Sequence, residues 1–265
     1  MVQCTSLGSD CELLASEICR FIRRKVGGRR AVLGLSGGID SAVTAKLAVK
    51  ALGSERVLAL IMPDLASTPL EDVTDARTLA DEIGIGYRVI DITGVAKSLV
   101  DLVSGTDVRR DKVAEGNTRA RLRMTIMYYI ANSENRIVIG SGDRSELLIG
   151  YFTKYGDGGV DLLPLGCLYK TQVRELARWI GIPQRIVEKE SSPRLWPGQT
   201  AEGELGLSYE EIDRILFELI DLKKGVKEAI RDLGEEYAEK VTRVAWMIRR
   251  SAHKRRTPPV PIIKR

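Results

Sequence analysis

The run Ser36-Gly37-Gly38-Ile39-Asp40-Ser41 lies between a five-residue apolar stretch, Ala31 to Leu35, and an alanine-rich helical pattern, Ala42 to Leu52. Adjacent glycines let a backbone turn without Cβ clashes, and the first N–H groups of a helix have no intrahelical partner. A strand, a tight turn and a helix start in that order gather those N–H groups at one point, where phosphate binds. The loop is not a Walker A loop, which places Lys-Ser/Thr after its last glycine. Nor is it the dinucleotide G-x-G-x-x-G fingerprint, because Gly34, Gly37 and Gly38 stand at other offsets. The expected anion site spans Gly34, Leu35, Ser36, Gly37, Gly38, Ile39, Asp40 and Ser41, with the Ser36 and Ser41 hydroxyls as added donors. A second loop, Gly140-Ser141-Gly142-Asp143-Arg144-Ser145-Glu146, brings Glu146 to the start of another helix. Asp40 and Glu146 converging among phosphates are the ligands that a Mg²⁺ ion requires.

Both loops must be held by a scaffold, and the chain alternates strands with helices. Asp10 to Lys25 reads as an amphipathic helix. Strands are expected at Ala31 to Leu35, Arg56 to Met62, Gly86 to Ile90 and Arg136 to Ile139, with helices at Glu71 to Ile83 and Thr118 to Asn132. Strands separated by helices give an α/β fold with a doubly wound parallel sheet flanked by helices. Ligands in such sheets bind beyond the carboxyl ends of the strands, so both loops are expected to face one crevice. Ser191 to Gly206 reads as a long surface loop of lid type, Ser104 to Gly116 as a stretch poorly ordered without ligand, and Thr257 to Pro261 as an extended tail.

The segment after the second loop is Gly150-Tyr151-Phe152-Thr153-Lys154-Tyr155-Gly156-Asp157-Gly158. The first loop resembles the pyrophosphate loop of the ATP pyrophosphatases, and this later segment, downstream of it, resembles the corresponding run of the NAD synthetase family. Asn117 to Arg123, Leu168 to Val173 and His253-Lys254 follow in that family's order. The resemblance implies a single domain over residues 1–265, with an ATP pyrophosphatase core at about 28–180 and a lid loop and helical C-terminal region at about 181–265. It implies ATP-dependent amidation of nicotinic acid adenine dinucleotide (deamido-NAD) to NAD, through an acyl adenylate, with AMP and pyrophosphate released. Ser141, Lys170 and Ser192 join the ATP site by this resemblance, and Arg121, Lys154, Asp161, His253 and Lys254 the deamido-NAD site. Asp161 is also the group that could assist ammonia. The family's homodimers place the dinucleotide at the subunit interface, and the first helix and the helix Thr118 to Asn132 are the candidates here. The chain departs from the family at Ser141, where relatives usually carry threonine, and at Lys189-Glu190-Ser191-Ser192-Pro193, where they tend to read Pro-Ser/Thr-Ala after the lysine.

The chain has 265 residues, 44% of them apolar and 29% charged. That length suits one sizeable core and leaves no room for the glutaminase domain of glutamine-dependent relatives, so free ammonia is the expected donor, with a separate glutaminase subunit left open. The N-terminus lacks the layout of a secretion signal and no segment has the apolar length of a membrane span, which places the expected location in the cytoplasm. Cys4, Cys11, Cys19 and Cys167 show no C-x-x-C spacing and read as buried or inert thiols. With a net charge of +5, the basic residues cluster mainly at Arg20 to Arg30 and Arg249 to Arg256, not between aromatics; an anionic dinucleotide accounts for some of them as well as a nucleic acid would, and no nucleic-acid partner is expected. Two rival readings are a tRNA-modifying adenylase and a non-catalytic nucleotide sensor. Both explain the first loop but not the run from Gly150 to Gly158.

Overall fold

A computed structural model describes residues 10–261. The chain runs α1 (Cys11–Val26), β1 (Arg30–Gly34), α2 (Ile39–Leu52), β2 (Val57–Ile61), α3 (Leu70–Glu82), β3 (Gly86–Val89), α4 (Thr93–Ser104), α5 (Lys112–Glu134), β4 (Arg136–Ile139), α6 (Arg144–Ile149) and α7 (Lys170–Trp179). The C-terminal region adds α8 (Gln184–Val187), α9 (Ala201–Leu205), α10 (Tyr209–Leu216), α11 (Val226–Leu233) and α12 (Ala238–Arg250).

The four strands form one parallel sheet in the order β3-β2-β1-β4. Ala31 of β1 pairs with Val57 on one side and Ile137 on the other. Successive strand side chains point to opposite faces. Leu33, Ala59 and Ile139 pack against Ile22 of α1, Leu47 of α2, Leu79 of α3 and Leu176 of α7. Val32, Leu60 and Val138 pack on the other face against Ile92 and against Met127 and Ile130 of α5. Burial on both faces explains why β1, β2 and β4 read as largely unbroken apolar runs instead of alternating ones, whereas β3, at the sheet edge, is mostly exposed. A third cluster joins Ile149 and Tyr169 to Leu205, Ile212, Leu233 and Val244, which packs the C-terminal helices against α6.

From β1 the chain steps outward to β2 and β3, then returns to place β4 on the opposite side of β1. The direction of winding reverses between β1 and β4, and a crevice opens beyond their carboxyl ends.

The strands fall within about a residue of their expected bounds. Helix α5 begins at Lys112 instead of Thr118, because the Asp111 side chain caps it by accepting from Ala114 N at 2.7 Å. Residues 112–116, within the stretch expected to be poorly ordered without ligand, form the first turn of that helix. The expected lid contains α9, capped by Thr200. Residues 257–261 are non-helical and exposed. Cys11 and Cys19 are buried and Cys167 is exposed, all three unpaired, and Cys4 lies outside the described residues. Among the described residues no helix is long and apolar enough to cross a membrane.

Candidate active site

The turn between β1 and α2 depends on Gly37, whose φ is +82°; a Cβ there would lie 2.2 Å from the backbone oxygen of Asp72. Gly38 is the N-cap of α2 at an ordinary φ of −93°. The serine hydroxyls brace this turn: Ser41 Oγ donates to Gly38 O at 2.9 Å and accepts from Ser36 N at 3.2 Å, and the two hydroxyls lie 3.1 Å apart. They fix the loop shape that aims the helix N–H groups.

In the second loop Asp143 caps α6. It accepts from Glu146 N at 2.8 Å while Glu146 Oε2 accepts from Asp143 N at 3.4 Å, a reciprocal capping box that holds both carboxylates on one side of the helix start. Lys170, the first residue of α7, is fully buried and enters between the loops. Its Nζ lies 2.6 Å from Asp40 Oδ2, 2.8 Å from Asp143 Oδ2 and 3.0 Å from Glu146 Oε1. Burial alone would lower its pKa, but the charges of Asp143, Asp40 and Glu146 outweigh that and hold it well above the ordinary lysine value. Burial raises Asp143 to about 6, and burial with the neighbouring acids raises Glu146 well above the ordinary value. Three carboxylates facing one ammonium remain under-neutralised.

Ligand oxygens of Asp40, Asp143 and Glu146 lie within 4.8 Å of one another. Asp40 Oδ1 is buried and has no hydrogen-bond partner. An orphaned oxygen, an all-carboxylate donor set and an excess of negative charge fit a hard divalent cation. The sequence reading named Asp40 and Glu146 and missed Asp143. An Asp three residues before a Glu at a helix start was the available signal, and it reads first as a cap. Lys170, expected against ATP phosphates, lies inside the carboxylate cluster.

The crevice has a volume of about 430 Å³ and is walled by the first loop, Ser141, Glu146, Arg123, the segment around Ser192 and Lys254. The Ser192 hydroxyl donates to Gln199 O at 2.6 Å and accepts from Arg194 N at 3.1 Å, so its bonds lie within its own loop. Lys254 Nζ donates to Gly150 O and Phe152 O at 2.7 and 2.6 Å, and burial lowers its pKa.

The other expected substrate residues lie outside the crevice wall. Arg121 is exposed and its Nε donates to Lys154 O at 3.3 Å, Lys154 lies over the Tyr155 ring, and His253 is exposed. Asp161 accepts from Tyr128 Oη at 3.0 Å and Val138 N at 2.8 Å. The three arginines at the start of the expected Thr118 to Asn132 helix divide by helical geometry. Arg119 and Arg123, four residues apart, share the inner face, and Arg121 projects away. Arg119 pairs with buried Asp64, while Arg123 donates to Met62 O at 2.9 Å and is pushed down to about 10 by burial.

A second ionic cluster flanks the loop at Gly37. Lys189 Nζ lies 2.7 Å from Asp72 and 2.6 Å from Asp75 and donates to Gly37 O at 3.3 Å. Arg185 reaches Asp75 at 2.6 Å and Arg194 reaches Asp72 at 2.9 Å.

Residues 14–258 match the family model described as NAD synthase. The chain is 53% identical over 258 residues to the NH(3)-dependent NAD(+) synthetase of Hyperthermus butylicus, covering 96% of this chain and 92% of that one. It is 50% identical to the protein of the same name from Archaeoglobus fulgidus, at 96% and 98% coverage. Among solved structures it resembles the NMN synthetase of Francisella tularensis, with TM-score 0.81, 35% identity and coverage of 96% and 99%. It also resembles the NH3-dependent NAD synthetase of Campylobacter jejuni in complex with nitrate, with TM-score 0.77, 29% identity and coverage of 96% and 100%. A glycine loop and a carboxylate cluster at the reversal of a parallel sheet, with a family match running through both, make this chain a member of the NAD synthase family.

Proposed function

We propose that the crevice converts deamido-NAD to NAD with ammonia and ATP by way of an acyl adenylate. The observation that carries this is the convergence of three carboxylates and buried Lys170 on a helix N-terminus built to hold pyrophosphate. A carboxylate does not accept ammonia directly because its oxygen is a poor leaving group. In the first step the nicotinate oxygen forms a bond to the α-phosphorus of ATP and pyrophosphate leaves. In the second, the ammonia nitrogen bonds to the acyl carbon, AMP departs with the bridging oxygen, and nitrogen loses a proton.

The N–H groups at the start of α2 and the braced loop from Gly34 to Ser41 receive the departing pyrophosphate. Asp40, Asp143 and Glu146 would hold Mg²⁺, which when bound supplies positive charge against the phosphates. Lys170 orders the three acids and lessens their mutual repulsion. Ser141 and Ser192 border the ATP subsite. Arg121, Lys154, Asp161, His253 and Lys254 are proposed for deamido-NAD by the family resemblance, and Lys254, on the crevice wall, has the most direct support. The exposed positions of Arg121 and His253 accord with a dinucleotide that extends out of the crevice. A homodimer would meet it there. The exposed apolar residues Val95, Leu99 and Leu102 of α4 and Tyr129 of α5 favour that side over α1. One domain spanning residues 1–265 and a cytoplasmic location, where ATP is available, complete the proposal.

The test follows pyrophosphate, AMP and NAD together after the chain is mixed with deamido-NAD, ATP, Mg²⁺ and either ammonium or glutamine. NAD from ammonium is expected. No pyrophosphate in either mixture would overturn the reading, and NAD from glutamine at equally low ammonia would replace free ammonia as donor. A second reading, amidation of the mononucleotide, is favoured by the likeness to the Francisella NMN synthetase. A higher kcat/KM for nicotinate mononucleotide than for deamido-NAD would put it first.

A further inference from the structure

Glu146 stands in the first turn of α6 and Lys170 opens α7, so the carboxylate cluster is only as well defined as the placement of those two helix starts. Tyr169, at the N-cap of α7, makes no side-chain cap hydrogen bond. Side chains from two other helices take the free N–H groups instead. Lys170 N donates to Ser145 Oγ at 2.9 Å and Thr171 N donates to Asp213 Oδ2 at 2.9 Å. Ser145 Oγ in turn donates to Asp213 Oδ1. Asp213 belongs to α10, is fully buried as Ser145 is, and does not line the crevice. Burying a carboxylate is unfavourable unless its oxygens are occupied, and here both are, at a helix N-terminus that favours negative charge.

We propose that Asp213 is a positioning residue for the adenylating step. Acting through Ser145 and the start of α7, it fixes Glu146 and Lys170 relative to Asp40 and thereby sets the cluster that receives Mg²⁺ and ATP. Deamido-NAD recognition does not pass through it. Asp213→Asn keeps the shape but replaces one acceptor oxygen by a donor, and Ser145→Ala removes the bridge between the two helices.

The inference rests on the function proposed above, and its test separates the two. Binding of a non-hydrolysable ATP analogue is measured by calorimetry across a Mg²⁺ series, alongside steady-state kinetics and thermal unfolding of the purified variants. Loss of such outer hydrogen bonds changes metal affinity or activity by about 10- to 100-fold. For both variants, the Mg²⁺ needed for half-maximal analogue binding should rise and kcat should fall within that range. KM for deamido-NAD should stay within twofold of the unmodified chain. Analogue binding at unmodified Mg²⁺ levels would overturn the proposal. So would equal losses for analogue and deamido-NAD that track a lowered Tm, the pattern of a purely structural role. If Asp213→Asn does not fold, Ser145→Ala carries the same comparison. Failure of the unmodified chain to make NAD would strike the functional reading, while analogue binding would still decide the role of Asp213.

Discussion

Two ionic clusters flank the loop from Gly34 to Ser41, and their charge balance differs in sign. Around Lys170, three carboxylates meet one ammonium and Asp40 Oδ1 has no partner. Around Asp72 and Asp75, two buried carboxylates meet Lys189, Arg185 and Arg194. The first cluster needs another cation to be neutral, and the second already has more than enough. A set of acids left short of positive charge is arranged for something that arrives, whereas a saturated set ties elements together. The saturated cluster links α3, the loop at Gly37 and the segment carrying Ser192, so it fixes the rim of the crevice, while the other cluster is the one proposed above to receive a cation.

The largest effect is expected from Lys170→Met, which leaves three acids with no cation. Breaking a buried ion pair from one side costs about 3–5 kcal/mol, so urea unfolding in EDTA should show a loss of that order, with activity abolished and part of the stability regained in Mg²⁺. Unchanged stability would break the comparison. Asp40→Asn should lower kcat about a hundredfold, since cation-assisted charge stabilisation is worth several kcal/mol. Its unfolding midpoint should hold or rise, because one member of a mutually repelling set is gone.

Lys189→Met should do the reverse, lowering stability by about 2 kcal/mol while kcat changes only a few-fold, because Arg185 and Arg194 still hold the two aspartates. The acid limb of the stability curve sharpens this contrast. Burial pushes Asp75 up, but the hydrogen bonds and charges of Lys189 and Arg185 outweigh it and leave its pKa below 3.8. A carboxylate depressed in the fold contributes stability that is present above its unfolded pKa and is lost as pH falls through the folded value. The unmodified chain should therefore show this contribution in full above pH 3.8 and lose it as pH falls from there through the lower folded value, and Lys189→Met, with less depression of Asp75, should show a shallower acid limb. The smallest effect belongs to Arg194→Gly. Arg194 has φ +51°, so losing its partly exposed pair with Asp72 is offset by relief of a left-handed backbone. A change within about 1 kcal/mol is expected from exposed-pair magnitudes.

The sheet and the first loop were legible because their signals are local. Apolar runs mark both-faces-buried strands, and Gly37 marks a turn that tolerates no Cβ. Asp40 and Glu146 were legible from their loops. Asp143 was not, since its cap role masks its second role as a member of the cluster. The contacts of Lys170 with Asp40, Asp143 and Glu146 were not legible, because nothing in the chain states that α7 begins against α2 and α6. The same limit hid Asp213, which acts across three helices, and the balanced cluster, whose members Asp72 and Lys189 meet only in the folded chain. Arg121 and Asp161 were carried over by type and position in a motif, and helix phase and a β4 hydrogen bond set their directions instead.

The strand order also governs when the crevice is complete. β4, last of the four to be synthesised, must settle beside β1, the first, and Lys170 must reach Asp40 across 130 residues of chain. Pairings that distant in sequence close slowly because loop entropy is lost before any contact repays it. A refolding or nascent chain therefore has the phosphate loop well before its second wall, and ATP analogue binding should return after helical circular dichroism, not with it.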